Sequence, residues 1–309
     1  MKNTEGLMLI DQLIEKVIEK KNPCIIGLDP VWEKIPECYK DDKKSRCECI
    51  LSWHKDIINC ISRYIVAIKP QNAFYEVYGS EGIRLYEETI RYAQNKGLIV
   101  IDDSKRNDIG NTTEAYAYAH LSPEGPINAD FLTICPFLGK DSMEPFIRTA
   151  KQYDKGLFIL VRTTNEGAKD IQDAITSKGI SVSQSLAMYI HEIAQETKGK
   201  YGYSSIGAVV AGTYPEEAKK LRKIMPNNIL LVPGFGEQGA NAKDVLPCFT
   251  EEGLGALVNS SRGVLYAYLK MSEYKGTKES YLNILEQQIK KMRNEVYEEL
   301  KKNCNKMVY

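Results

Sequence analysis

The stretch Leu98-Ile-Val-Ile-Asp-Asp-Ser-Lys-Arg-Asn-Asp-Ile-Gly-Asn-Thr-Thr113 decides the reading of the whole chain. Its apolar start, Leu98 to Ile101, is too short for a helix and predicts a buried strand. The run then meets five charges within seven residues: Asp102, Asp103, Lys105, Arg106 and Asp108. If the strand is parallel and buried, alternation puts Asp103 and Lys105 on one face, with Asp102, Ser104 and Arg106 on the other. Asp108 falls beyond the strand, at the start of a helix opened by Asp108-Ile-Gly-Asn111 and continued from Glu114 to His120. An Asp-x-Lys-x-x-Asp array lets carboxylates keep an ammonium group charged and aimed. The competing reading is a solvated salt-bridge turn, and the rest of the chain decides between them.

Outward from this point the chain repeats one pattern. Amphipathic spacing of Leu7, Ile10, Leu13, Ile14, Val17 and Ile18 predicts a first helix, stopped by Asn22-Pro23. Short strands are expected at Cys24–Pro30, Tyr64–Lys69, Ala129–Cys135, Gly156–Val161, Tyr203–Ala211, Asn228–Pro233 and Gly255–Asn259. Between them lie helical segments, including 80–96 closed by Gly97, 181–197 and 215–224, while the forty or so residues after the fifth strand also leave room for a mobile loop. Counted with the central strand, the alternation predicts an α/β (β/α)₈ TIM barrel with an extra N-terminal helix. A charged helix at 273–305 is appended at the C-terminus, and no linker-like stretch divides residues 1–309, so one domain is expected.

Composition narrows the function. Lys plus Arg equals Asp plus Glu at 41 each, so no global field recruits nucleic acid or an anionic membrane. Neither a signal peptide nor an apolar run long enough to span a membrane is visible. The eight cysteines form no Cys-x-x-Cys pair and suit a reduced, cytoplasmic protein. Cys47, Cys49 and His54 fall in a charged helical stretch and make a poor metal set, so no metal is expected. His54, His120 and His191 all sit in helices and are read as packing or surface residues, leaving the chemistry to Lys and Asp.

A closed barrel opens all its strand C-termini on one face, where such folds carry their chemistry. There the sequence puts Asp29, Lys69, Asp103, Lys105, Thr163 or Thr164, the loop Pro233-Gly-Phe-Gly-Glu-Gln-Gly239 and the segment Asn259-Ser-Ser-Arg-Gly263. Glycines after the seventh and eighth strands, Gly234, Gly236 and Gly263, are expected to expose backbone N–H groups. Together with Arg262 they suit a phosphate. Gly234-Phe-Gly-Glu-Gln-Gly239-Ala240 also fits a dinucleotide fingerprint. Six strands precede the strand that leads into it and only one follows, which argues against that use.

With Asp103-x-Lys105-x-x-Asp108-Ile-Gly-Asn-Thr112, Lys69 at a strand end and the phosphate loops in barrel order, the chain resembles the orotidine 5′-phosphate decarboxylase family. Leu28-Asp29-Pro30, Lys69-Pro-Gln-Asn-Ala-Phe-Tyr-Glu76 and Pro136-Phe-Leu-Gly-Lys-Asp-Ser-Met-Glu-Pro-Phe146 are similar to its longer bacterial branch, and the likeness runs from about residue 20 to 270. The resemblance implies a cofactor-free decarboxylase of orotidine 5′-phosphate in pyrimidine synthesis, working as a homodimer with shared sites. It implies a charge network of Lys69, Asp103, Lys105 and a partner-donated Asp108, with Lys105 protonating C6 and Asp103 against the leaving carboxylate. Asp29 and the partner-donated Thr112 would hold the ribose, Gln238 and Arg262 the phosphate, with Pro233, Gly234, Gly236 and Gly263 around it, and Thr164 the pyrimidine. The branch usually reads Thr-Ser-Asn-Pro-Gly where this chain has Thr163-Thr-Asn-Glu-Gly167. Alternatives are a magnesium-dependent barrel decarboxylase of a keto-sugar phosphate and a catalytically silent nucleotide-binding barrel.

Overall fold

The computed structural model describes residues 6–236 and 239–309. In chain order the elements are α1 Leu9–Lys20, β1 Cys24–Gly27, α2 Arg46–Ile61, β2 Ala67–Lys69, α3 Ala73–Glu76, α4 Gly79–Asn95, β3 Ile99–Arg106 and α5 Gly110–Leu121. There follow β4 Phe131–Ile134, α6 Lys140–Gln152, β5 Gly156–Arg162, α7 Ala168–Ile171, α8 Val182–Ile193, β6 Ser204–Val210 and α9 Pro215–Ile224. The chain ends with β7 Asn228–Val232, α10 Ala242–Val245, β8 Ala256–Ser260, α11 Arg262–Leu265 and α12 Lys278–Asn303. The strands close as β1-β2-β3-β4-β5-β6-β7-β8, each parallel to its neighbours, with β8 pairing back onto β1. This is the (β/α)₈ barrel expected from the alternation.

Two apolar layers divide the sequence by strand parity. Ile25, Ile99, Ile101, Phe131, Phe158, Val209, Ile229, Leu231 and Leu257 fill the barrel interior. Cys24, Ile26, Val100, Leu132, Leu157, Ile159, Leu230 and Val258 face the surrounding helices. Phe131 and Phe158 stack inside at 5.0 Å between ring centres. Gly207 makes room for them, since a Cβ there would lie 2.8 Å from the Phe158 ring. Helix α1 turns Leu9, Ile10, Leu13, Ile14 and Val17 into this inner cluster and so closes one end of the barrel, while strand ends keep the other free for polar groups.

The C-terminal helix α12 is shorter than the charged segment suggested. A capping box at Thr277 and Ser280 starts it, and Tyr281, Ile284, Leu285, Ile289, Met292, Val296 and Leu300 are its buried side. That side packs against α2 and β1, so the helix belongs to the wall of its own barrel. Among the described residues no helix is long and apolar enough to cross a membrane.

Three further expectations change. The central strand does not end at Ile101: β3 runs on through the charges to Arg106, because pairing with β4 resumes at Arg106 and Ile134 after an irregularity. Its following helix begins at Gly110, after Ile109 in extended backbone, so Asp108 precedes the helix and accepts the Ile109 N–H at 2.8 Å. The segment after β5, expected as a loop, is folded onto the strand end. Arg162 grips Asp173 with two hydrogen bonds of 2.9 and 3.0 Å, Gln172 accepts the Thr163 N–H at 2.9 Å, and Ile175 bridges Ser181.

Candidate active site

A pocket of about 280 Å³ opens at the strand C-termini. Its polar lining comes from Asp29, Lys69, Gln71, Asp103, Lys105, Thr163 and Thr164, and from Asn259 through Gly263. Leu160, Val209, Leu231 and Phe235 supply an apolar wall. Such a mixture suits a small ligand with an apolar body and charged substituents.

At the base, Asp103 lies between two ammonium groups. Lys69 Nζ is 2.5 Å from its Oδ2 and Lys105 Nζ 2.5 Å from its Oδ1. The side chains of Lys69 and Asp103 are only 8% and 9% exposed, against 43% for Lys105, so the first pair is embedded and the second reaches into the open pocket. Burial opposes ionisation of Asp103, yet Lys69 and Lys105 together hold its carboxyl well below the usual carboxylate range. Burial likewise works against the charge on Lys69, and Asp103 and Asp29 outweigh it, leaving that pKa above the ordinary lysine value.

The backbone that makes this possible is unusual. Lys105 sits at φ +49°, in the left-handed region that non-glycine residues rarely enter. Its N–H donates to the Thr133 hydroxyl at 2.9 Å, and that hydroxyl also lies 3.1 Å from Asp103 Oδ1. Thr133 is fully buried and was missed from the sequence. The signal was present: it shares parity with Phe131, so a hydroxyl interrupts an otherwise apolar inward face.

Asp29 stands at the end of β1, where its Oδ1 accepts the Gln71 N–H at 3.3 Å and Ser261 adds a side-chain hydrogen bond. Burial raises its pKa, only partly offset by Lys69 and Ser261. The approach of Ser261 depends on Gly27, since an ideal Cβ there would lie 1.8 Å from Ser261 Oγ. Tyr266 braces the same turn, donating to the Asp29 carbonyl at 2.7 Å and accepting the Val31 N–H at 2.9 Å.

Next to Asp29, Ser260, Ser261, Arg262 and Gly263 form the wall that leads into α11, beside Pro233 and Gly234. The N–H of Gly236 goes to the Ala240 carbonyl at 2.8 Å, where the loop closes on itself at φ +79°. Gln238 lies outside the described residues. Thr163 Oγ1 is engaged by Gln172 and Asn165, which leaves Thr164 as the neighbouring hydroxyl on the pocket wall.

Asp108 and the exposed Thr112 are not part of this chain's own pocket lining. The histidines also lie off it. His54 is buried against Trp53 and Tyr75, and burial lowers its pKa to about 3, so it is neutral packing.

Comparison with known proteins agrees with this geometry. A sequence profile described as the orotidine 5′-phosphate decarboxylase / HUMPS family matches residues 24–276. An orotidine 5′-phosphate decarboxylase of Clostridium kluyveri is 40% identical over 263 residues, covering 85% of this chain and 89% of that protein. One from Petrotoga mobilis is 38% identical over 293 residues, covering 94% and 99%. Among solved structures, the OMP decarboxylase of Leishmania donovani superposes with a TM-score of 0.71 at 26% identity, covering 93% of this chain and 99% of that one. The chain belongs to the orotidine 5′-phosphate decarboxylase / HUMPS family.

Proposed function

We propose that this protein decarboxylates orotidine 5′-phosphate to uridine 5′-phosphate in pyrimidine biosynthesis, using its own side chains and no cofactor. The observation that carries the reading is Asp103 held between Lys69 and Lys105 at the base of the same pocket that the Ser260–Gly263 wall lines. In this reading the phosphate lies along that wall with Arg262, the ribose hydroxyls meet Asp29, and Thr164 meets the pyrimidine.

The C6 carboxylate then faces Asp103. Like charges in contact disfavour the bound ground state, while the same two ammonium groups keep Asp103 ionised. As the C6–carboxylate bond breaks, its electron pair stays on C6 and carbon dioxide departs. The Lys105 ammonium stabilises that charge and gives its proton to C6, after which solvent reprotonates the amine. A preorganised donor acting only on charge that develops in the transition state contributes roughly 3–4 kcal/mol. The phosphate grip, remote from the reacting carbon, supplies binding energy that offsets the unfavourable contact at Asp103.

The reading includes a homodimer in which Asp108 and Thr112 complete the neighbour's site. Supporting it, exposed apolar side chains gather in the segments after β2, β3 and β4: Val77, Ile109, Phe137 and Leu138. They lie before and after Asp108 in barrel order, at exposed positions that a two-fold contact would cover.

The test is loss of orotidine 5′-phosphate absorbance on mixing with the protein in excess EDTA. Turnover under chelation supports the reading. Activity on a keto-sugar phosphate that vanishes with EDTA and returns with magnesium would favour the other chemistry of the fold.

A further inference from the structure

The outer face of β3 carries a polar chain, buried at Asp102 and His120, to which the proposed reaction assigns no part. Asp102 pairs with Leu132 and Arg106 with Ile134, so β3 spends residues 103–105 where β4 spends only Thr133. Asp103 and Lys105, the two groups directed into the pocket, lie inside this bulge. Its inner side is fixed by Thr133. Its outer side is closed by one imidazole.

His120, on α5 and 3% exposed, lies with Nδ1 2.5 Å from Asp102 Oδ2 and Nε2 3.2 Å from Arg106 Nε. Arg106 Nε can only donate, so His120 Nε2 accepts and Nδ1 carries the proton that goes to Asp102. One imidazole, donating at Nδ1 and accepting at Nε2, therefore joins the two residues at which the bulge begins and ends. Both ends are held again from outside. Asp102 Oδ1 accepts the Tyr86 hydroxyl at 2.6 Å and also the Ser104 hydroxyl. Arg106 reaches Glu76 at 3.1 Å, and Glu76 takes the Asn72 amide at 2.7 Å. None of these side chains lines the pocket.

We infer that His120 is a positioning residue for decarboxylation: by spanning Asp102 and Arg106 it holds the bulge that puts Lys105 in its left-handed conformation and its ammonium on Asp103. The inference rests on the proposed function. Strain at φ +49° persists only where the surroundings over-determine it, and here Thr133 and His120 are the constraints on either side. Removing one lets the backbone relax toward an ordinary strand. A displacement of about 1 Å at a reacting group costs up to about 100-fold in rate.

The experiment compares the full-length protein with His120→Leu, which keeps bulk and loses both hydrogen bonds, and His120→Asn, which keeps an N–H near the Nδ1 position. Turnover of orotidine 5′-phosphate, the dissociation constant of uridine 5′-phosphate and the melting temperature are measured for each. His120→Leu should lower kcat about 10- to 100-fold while nucleotide affinity stays within about threefold, and His120→Asn should recover most of the loss. Unchanged kcat in a folded His120→Leu protein overturns the inference, as do parallel losses of kcat and affinity that His120→Asn does not relieve. If His120→Leu does not fold, Arg106→Met opens the other end of the span and should give the same split, equal losses again counting against it. A parent protein that leaves orotidine 5′-phosphate untouched would overturn the functional reading first, and this inference with it.

Discussion

Lys69 Nζ and Asp103 Oδ2 lie 2.5 Å apart with both side chains almost wholly withdrawn from solvent. Removing one member leaves the other charged and buried, which costs far more than the pair contributes as a whole. Asp103→Asn should therefore destabilise the fold by about 3 kcal/mol. Folding lowers the Asp103 pKa, so its contribution is complete above the unfolded value of about 4 and is lost as pH falls through the lower folded value. Folding raises the Lys69 pKa, so its contribution is complete below the unfolded value of about 10.4 and is lost only as pH rises through the higher folded one. Urea unfolding should show a constant gap between parent and variant from about pH 5 to about pH 9, narrowing only in stronger acid or base.

Asp29 behaves in the opposite sense. Burial raises its carboxyl pKa on folding, so ionised Asp29 is a burden on stability above the folded pKa and none below the unfolded one. Asp29→Asn should melt about 2 °C higher than the parent near pH 8, match it below about pH 4, and lose at least tenfold in kcat/KM. A variant that melts lower at pH 8 would show that Asp29 is held for the fold.

In the proposed reading Arg262, on the pocket wall, meets a dianion remote from the reacting carbon. Arg262→Ala should weaken kcat/KM for orotidine 5′-phosphate by about 2–5 kcal/mol, the range for losing one side of a desolvated charge pair. Orotidine without its phosphate should be turned over almost as before. Equal losses on the two substrates would make Arg262 structural.

The barrel and its polar mouth were legible because parity is a local property of the sequence: Ile99, Ile101 and Asp103 turn inward, Val100 and Asp102 outward. What alternation could not give was the departure from it. Two extra residues in β3 and a left-handed Lys105 depend on a hydroxyl from the next strand and an imidazole from the next helix. The glycines of the loop after β7 were read as N–H donors to a ligand, yet Gly236 spends its N–H within the turn. Sequence shows that a backbone is free to turn, and only the fold shows where its hydrogen bonds go. A glycine such as Gly27, which admits a close neighbour, carries no motif, since its role is fixed by a Ser261 side chain distant in the chain.

The proposed sharing of sites between subunits has a quantitative consequence. Lys105→Ala and Asp108→Asn homodimers should each be nearly inactive. A mixed dimer holds one site with both lesions and one with neither, because Lys105 then comes from one chain and Asp108 from the other. Free reassortment makes about half the dimers mixed, so activity should recover to about a quarter of the parent value. Exchange is verified with two affinity tags. Fully exchanged mixtures that stay inactive would place Asp108 in its own chain's site.

In the proposed reaction Lys105 acts on charge appearing in the transition state, and Lys105→Ala removes that ammonium group alone. Carbon dioxide release from carboxyl-labelled orotidine 5′-phosphate should fall at least about 1000-fold, while uridine 5′-phosphate still binds within about tenfold of the parent. Release within about tenfold of the parent rate, or a loss matched by an equal loss of nucleotide affinity, would contradict the account.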